Sequence, residues 1–378
     1  MILPRRVLHV IDSLDLGGAQ TFLLDLVGNH DRSRYLPEVA VMHGKGVYHE
    51  AFEKEGVKIH SLSPGKFPPL YVPNFWRLMR REKFDILHFH LFGANLCAKP
   101  LALAAGHTAI IVHDQCNDAS RERNPMLLTA DAVANRGVAR VIAVSQSVRR
   151  YVLDREDLPD DSVEMIPNGI DTELFIPPSE EQRVTARIAL GLPPDVPVIG
   201  GVGRLVFQKN FPVFLEVAAR ILARDPTAIF VIAGTGPLET ELKMKAVALG
   251  IGGSVRFLGH VSHRPGLYQA LDALLLTSDF EGTPLTLLES MATAIPVVAS
   301  AVDGIAEVCT DGHDAILVTP RDVAGFATAL GRLQADRVLN KQLGDNARIT
   351  VVNRYEIRII ARRVELIYDK VLGEERNT

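Results

Sequence analysis

Residues 278–300 read SDFEGTPLTLLESMATAIPVVAS, and their pattern decides the fold. A polar turn from Asp279 to Thr283 leads into Pro284. Proline is favoured in the first turn of a helix, where its missing N–H has no intrahelical partner, so the spacing predicts a helix starting at that proline. Leu287, Leu288, Met291 and Ala292 share one arc of that helix; Thr286, Glu289, Ser290 and Thr293 share the opposite one. Ile295 to Ala299 is then an unbroken apolar run, the pattern of a strand buried on both faces of a parallel sheet.

The same stretch holds two carboxylates, Glu281 before the helix and Glu289 within it, with seven residues between them. The turn leaves backbone N–H groups free at a helix start, which suits oxygen-rich, anionic ligands. Carboxylates beside free amides can hold the hydroxyls and phosphates of a nucleotide sugar. Taken alone, the two glutamates read more simply as a helix-start acid favoured by the macrodipole and a solvated surface residue.

The surroundings weigh against that simpler reading. The block resembles the donor-site signature of the retaining glycosyltransferases of family four in the GT-B fold, a Glu-x7-Glu motif set in EGxPxxLLE-x-MA-x-G-x-PVVA. The resemblance implies an α/β chain of the GT-B kind, with two Rossmann-like doubly wound domains facing across a cleft. It places Glu281 on a donor-sugar hydroxyl, with the backbone of Gly282, Thr283, Pro284 and Leu285 forming the wall behind it, and Glu289 on the nucleotide ribose. Two positions depart from the signature: Ala294 stands where the family has glycine, and Asp303-Gly304 replaces Gly-Gly. A left-handed backbone at Ala294 would cost about 1 kcal/mol, and aspartate tolerates that region better.

A chain of 378 residues suits two domains of roughly 180 residues each. The 47% hydrophobic content is enough for two cores, and a formal net charge of −4 argues against a nucleic-acid partner. Arg80-Arg81 and Arg149-Arg150 read first as solvated helix faces, with an anionic acceptor or a peripheral membrane contact as the alternative. Cys97, Cys116 and Cys309 have no metal or redox spacing, which fits a reducing, cytoplasmic setting, with peripheral attachment at the inner face of a membrane as the open alternative. The apolar run before Asp12 is too short for a signal-peptide core, and no apolar run is long enough to span a bilayer.

In the first half, Val7 to Ile11 reads as a buried strand, followed by Gly17-Gly18 and a helix over Ala19 to Val27. The glycines would let the backbone turn tightly and approach a ligand. There is no G-x-G-x-x-G, and the next strand, Val39 to Met42, ends in His43 rather than an acid, so a dinucleotide site is not expected. In the resembled family Gly17-Gly18-Ala19-Gln20 matches a loop that lies against the donor's phosphates. Further strands are predicted at Val57 to Leu62, Phe84 to Phe89, Ala109 to Val112 and Val141 to Val144, with helices between them, implying a parallel sheet. His88 and His90 then fall just after one strand and His113-Asp114 after the next. The His88-x-His90 pair reads as structural, with no third ligand in sight. The resemblance carries to His113 a role at the donor sugar or acceptor.

Ile166-Pro167-Asn168-Gly169-Ile170-Asp171 resembles the segment closing the family's first domain, and the proline-rich stretches beyond it place the boundary near residue 175. The expected domains are 1–175, with a C-terminal helix over about 354–378 packing back on it, and a donor-binding domain over 176–353. In the second, Pro197 to Gly201 is a strand leading to Gly203-Arg204 and Lys209, similar to the family's G-R-L-x3-K segment. Ile229 to Ala233 leads to Gly234-Thr235-Gly236, a turn able to accommodate phosphate or ribose. Val255 to Gly259 leads to His260-Val261, resembling the segment whose backbone meets the nucleobase. Leu274 to Thr277 leads to the central block.

A diphosphate leaving group needs positive charge, and Arg204 and Lys209 would supply it, each worth roughly 3–4 kcal/mol in the transition state. No Asp-x-Asp motif occurs, so no metal and no cofactor is expected beyond the nucleotide-diphosphate sugar itself. The resemblance implies a retaining hexosyltransferase-type glycosyltransferase that transfers to a glycan, glycolipid or small-molecule acceptor in polysaccharide or envelope biosynthesis. A sugar-nucleotide epimerase of the same fold and a non-catalytic nucleotide- or carbohydrate-binding protein are the alternatives.

Overall fold

Short apolar runs become parallel strands throughout the chain. The computed structural model describes residues 3–63, 71–115 and 125–374 and divides into two compact units, Met1–Gly169 with Ile357–Thr378, and Ile170–Glu356. The division falls at Gly169/Ile170, ahead of the residue 175 expected from the proline-rich stretches.

The first unit holds β1 (Arg5–Ile11), β2 (Tyr35–Val41), β3 (Lys58–Ser61), β4 (Ile86–His90), β5 (Ile110–Asp114), β6 (Arg140–Ala143) and β7 (Val163–Met165), in the order β3-β2-β1-β4-β5-β6-β7. All pairings are parallel. Side chains alternate across the sheet. Leu8, Val10, Leu87, Phe89, Ile110 and Val112 enter one core with Phe75, Ala102 and Val148. On the other face Ile11, Val39 and Val41 pack with Leu23, Val27 and Phe52. The helix Ile357–Leu372 belongs to this unit. Glu365 accepts the Asp31 amide at 2.8 Å, Asp369 accepts from Arg34 and Tyr35, and Lys370 meets Glu164 at 2.8 Å.

The second unit holds β8 (Val198–Val202), β9 (Ile229–Ala233), β10 (Val255–Gly259), β11 (Ala273–Leu276), β12 (Val297–Ser300) and β13 (Ile316–Val318), in the order β10-β9-β8-β11-β12-β13. Its core joins Phe214, Val217 and Ile221 to Phe230, Ile232, Leu275 and Val298. Both sheets therefore have the doubly wound, Rossmann-like order, with the direction of winding reversing between β1 and β4 in one and between β8 and β11 in the other.

Several expectations need correction. Pro284 caps the helix Leu285–Ala292 from outside, with ψ 125°, rather than opening its first turn. The face expected to be polar is buried: Glu289 is 3% and Ser290 0% exposed. His88, His90, His113 and Asp114 lie inside β4 and β5 and are buried, not beyond the strand ends. Gly17 is extended at φ 179°, and neither it nor Gly18 takes a left-handed turn. The sequence would seat acceptor choice in the first unit's loops 67–72 and 115–124, of which 67–70 and 116–124, with Cys116, lie outside the described residues. Cys97 and Cys309 are free thiols. Among the described residues no helix is long and apolar enough to cross a membrane.

Ala294 and Asp303 both adopt positive φ, 56° and 34°, so the two departures from the signature fall on backbone that favours glycine. Ala294→Gly should raise the stability of the second unit by about 1 kcal/mol, read as a higher urea midpoint at unchanged slope. A lower midpoint would mean that the alanine methyl is held by contacts stronger than its strain.

Candidate active site

Ligands of doubly wound sheets gather at the carboxyl ends of the strands, where the winding reverses. In the second unit that point lies between the loops after β8 and β11, and three glycines bring the loops after β8 and β9 together. Gly203 (φ 151°) donates its N–H to the Ala233 carbonyl at 3.0 Å, and Gly234 (φ 140°) donates to Gly259 at 2.7 Å. A methyl on Gly234 would sit 1.9 Å from the Gly203 carbonyl oxygen, and one on Gly236 2.4 Å from that of Leu205. The Leu205 amide completes the seam with a bond to Thr235 at 2.9 Å.

The loop after β8 is tied just as firmly to the loop after β11. Asn210, left-handed at φ 47°, donates its side-chain amide to Asp279 at 3.0 Å, and Thr277 bonds the carbonyls of Lys209 and Asn210. Arg321 grips Asp279 with two bonds of 3.0 and 2.9 Å. This lacing places Lys209 Nζ 2.5 Å from Glu281 Oε1. Glu281 is 5% exposed and also accepts from Ser278 Oγ at 2.7 Å and, more weakly, from Gln208 Nε2 at 3.4 Å. Its own amide reaches Asp303 Oδ2 at 3.4 Å, so the substituted position takes up one N–H of the turn. Arg204, at the same edge, is exposed, and among the described residues its guanidinium has no partner.

One turn into the helix Leu285–Ala292, Glu289 is fixed by Arg264, whose guanidinium lies over the Phe175 ring at 5.4 Å. Burial pushes the Glu289 carboxyl above the ordinary range, and Arg264 opposes that rise. Val261 follows β10, half-buried, and Gly282, Thr283, Pro284 and Leu285 are buried behind Glu281. The structure thus brings Gly203, Arg204, Lys209, Gly234, Gly236, Val261, Glu281 to Leu285 and Glu289 to one edge of the second sheet.

Gly17, Gly18 and His113 belong to the first unit. The helix Gly18–Gly28 has no side-chain cap at its amino end, which leaves amides available there. His113 is fully buried, its ring 5.4 Å from that of Phe22, and burial lowers its pKa to about 4. Sequence reasoning missed Ser278, Gln208, Arg264 and Asp279 as partners. Ser278 and Gln208 sit beside residues it had singled out, whereas Arg264 carries no local mark.

The description "Glycosyl transferases group 1" matches residues 182–350, and "Glycosyltransferase Family 4" matches residues 16–174. The chain is similar to the Escherichia coli UDP-Gal:alpha-D-GlcNAc-diphosphoundecaprenol alpha-1,3-galactosyltransferase, 28% identical over 78% of this chain and 77% of that one. It is also similar to the lipopolysaccharide core biosynthesis mannosyltransferase LpsB of Rhizobium meliloti, 30% identical over 61% of this chain and 66% of that one. The crystal structure of Anabaena Alr3699/HepE in complex with UDP and glucose shares the fold, with a TM-score of 0.85 at 20% identity over 96% of this chain and 99% of that one. With the two family descriptions together spanning both units, the chain belongs to the group 1 glycosyltransferases of family four, enzymes of the GT-B fold that transfer a sugar from a nucleotide sugar.

Proposed function

We propose that this glycosyltransferase works with retention of configuration, without a metal at the diphosphate, and moves a sugar from a uridine diphosphate sugar to a hydroxyl of a glycan or glycolipid acceptor in envelope or polysaccharide synthesis. The observation that carries the reading is the meeting of Lys209 and Glu281 at 2.5 Å, where the winding of the second sheet reverses, with Arg204, unpartnered among the described residues, at the same edge. Arg204 and Lys209 neutralise the leaving diphosphate. Glu281 holds a donor-sugar hydroxyl, the amides of Gly282, Thr283 and Leu285 lie behind it, and Glu289 holds the ribose. Gly203, Gly234 and Gly236 hold together the loops that cradle the nucleotide, and the Val261 backbone meets the base. In the first unit, the amides at Gly17 and Gly18 suit phosphate. The acceptor oxygen bonds to the anomeric carbon on the face from which the β-phosphate oxygen departs, and that oxygen takes the acceptor's proton. Uridine is favoured because the E. coli relative is named for UDP-Gal and the Anabaena structure holds UDP.

Calorimetry with UDP, GDP and ADP should show UDP bound most tightly and Arg204→Ala weakening it at least tenfold. Product analysis by NMR should show the donor's anomeric configuration kept, nucleotide released only when acceptor is present, and turnover surviving EDTA. An inverted product, or turnover abolished by EDTA and restored by magnesium, would overturn the mechanism. Nucleotide release without acceptor would move the reading to an epimerase.

A peripheral membrane contact is part of the same proposal. The helix Tyr71–Arg81 buries Tyr71, Phe75 and Met79 and exposes Trp76 beside Arg77, Arg80 and Arg81, which suits an anionic headgroup surface. Co-sedimentation with phosphatidylglycerol vesicles should fall at least threefold in Trp76→Ala/Arg80→Ala; equal binding would remove this helix from the proposal.

A further inference from the structure

Three neighbouring strands of the first unit bring histidines to one face of the sheet. Parallel register sets His9 of β1 against His88 of β4, and His90 of β4 against His113 of β5. Alternation sends their neighbours Leu8, Val10, Leu87, Phe89 and Val112 to the apolar core on the opposite face. His9, His88, His90 and His113 are all 0% exposed, and His30 beside them is 4%. The rings of His9 and His90 lie 5.3 Å apart, those of His88 and His90 4.3 Å, and those of His88 and His113 5.4 Å.

So many buried imidazoles normally divide their donors and acceptors among partners. Here His9 Nδ1 lies 3.0 Å from His90 Nε2, and His88 Nδ1 lies 2.8 Å from the Tyr368 hydroxyl. Among the described residues His9 Nε2, His88 Nε2, His90 Nδ1 and both ring nitrogens of His113 have no hydrogen-bond partner. One ring nitrogen from each of His9, His88 and His90 lies within 4.8 Å of the others. A stack of this kind wastes polar atoms unless something binds them.

We infer that His9, His88 and His90 form a buried site for one divalent transition-metal ion of the zinc type. The donor set selects the class: three imidazoles without a carboxylate or thiolate suit zinc, cobalt, nickel or copper and not magnesium or calcium. Zinc–imidazole bonds of about 2.0–2.1 Å set tetrahedral ligand nitrogens roughly 3.3 Å apart, so the three rings would close in on the ion from their spacing of up to 4.8 Å. The Tyr368 hydroxyl engages His88 Nδ1 and so leaves Nε2 free to ligate, an outer partner of the kind that orients metal-bound histidines. His113 flanks the group and can complete the coordination. Glu365, 3.4 Å from His30 Nδ1, with His30 stacked on His9 at 5.7 Å, brings a carboxylate to the next layer. The ion would clip β1 to β4 and, through Tyr368, hold the helix Ile357–Leu372 on the sheet. Ligands this deeply buried take up metal as the chain folds. Its readout is metal content rather than transfer, so it stands or falls separately from the function proposed above.

The test uses the full chain without a histidine tag, purified from zinc-supplemented cells, then unfolded with chelator and refolded with or without zinc or cobalt. Elemental analysis should find about one transition-metal ion per chain. X-ray absorption should show at least three nitrogen or oxygen ligands at about 2.0 Å, with imidazole scattering. Refolding with zinc at a hundredfold excess over its Kd should raise Tm by roughly 5–10 °C. His88→Gln should lose at least nine-tenths of the metal, while His263→Ala, on an exposed loop, should keep it. Below about 0.1 ion per chain with no Tm shift, a sulfur-ligated spectrum, or full retention in His88→Gln would overturn the inference. The first two readings need only the unaltered protein, so a variant that fails to fold does not shelter the proposal.

Discussion

Lys209→Ala should lower kcat by about 10²–10³, the loss seen when one donor aimed at developing transition-state charge is removed. Two effects overlap in that variant and have to be separated. Lys209 is placed to meet the leaving diphosphate, and it is also the cationic partner of a buried carboxylate, 2.5 Å from Glu281. Breaking a buried pair by removing one member destabilises by about 3–5 kcal/mol because the other charge is left uncompensated. The loss here should be smaller, because the lysine is 14% exposed and Ser278 and Gln208 still bond Glu281. Glu281→Gln keeps the shape of the side chain and removes the charge. The double variant Lys209→Met/Glu281→Gln should therefore recover most of the stability lost in Lys209→Ala while its kcat stays at least a hundredfold down. Thermal denaturation and turnover at saturating donor, measured on the same preparations, check this. Both single variants within threefold of the native kcat would remove the pair from the chemistry.

That pair also shows how far a sequence can be read. The loops bearing Arg204, Lys209 and Glu281 were legible because glycines, cations and carboxylates sit at the ends of apolar runs. Runs with sharp apolar edges gave exact strands, as for Ile229 to Ala233 and Val255 to Gly259. Which side chains meet across two loops is set by sheet order, which no local pattern carries. The contact of Lys209 with Glu281 is thus not foreseen from the sequence, nor is that of Arg264 with Glu289. The histidines show the opposite failure. The predicted strand stops at Phe89, yet β4 runs on through a buried His90. His9 was passed over because its neighbours His88 and His90 are remote in sequence, and only the parallel register of β1 and β4 joins them. The strands β7 and β13, three residues each, are too short to show a period.

Gly234→Ala should be the most damaging single-methyl change in the second unit, destabilising it by about 3 kcal/mol or more and lowering Tm by roughly 6–12 °C. At φ 140° the backbone lies in a region that only glycine occupies without strain. Strain alone would leave the loop room to readjust, but here the added methyl falls 1.9 Å from the Gly203 carbonyl oxygen, which is backbone and held in place by its own neighbours. The loops after β8 and β9 would have to part, breaking the Gly203–Ala233 or Leu205–Thr235 bonds, 3.0 and 2.9 Å long. Those loops carry Arg204 and Lys209, so nucleotide affinity should fall at least tenfold with the stability. Gly253→Ala is the control: it has no positive φ and nothing within 4 Å of its added methyl, so it should change stability by less than about 0.5 kcal/mol. Urea denaturation and nucleotide calorimetry on the two variants distinguish a specific seam from a general intolerance of methyl groups. If Gly234→Ala unfolds at the native midpoint, the seam is loose, and a nucleotide site that depends on its fixed geometry loses its main support.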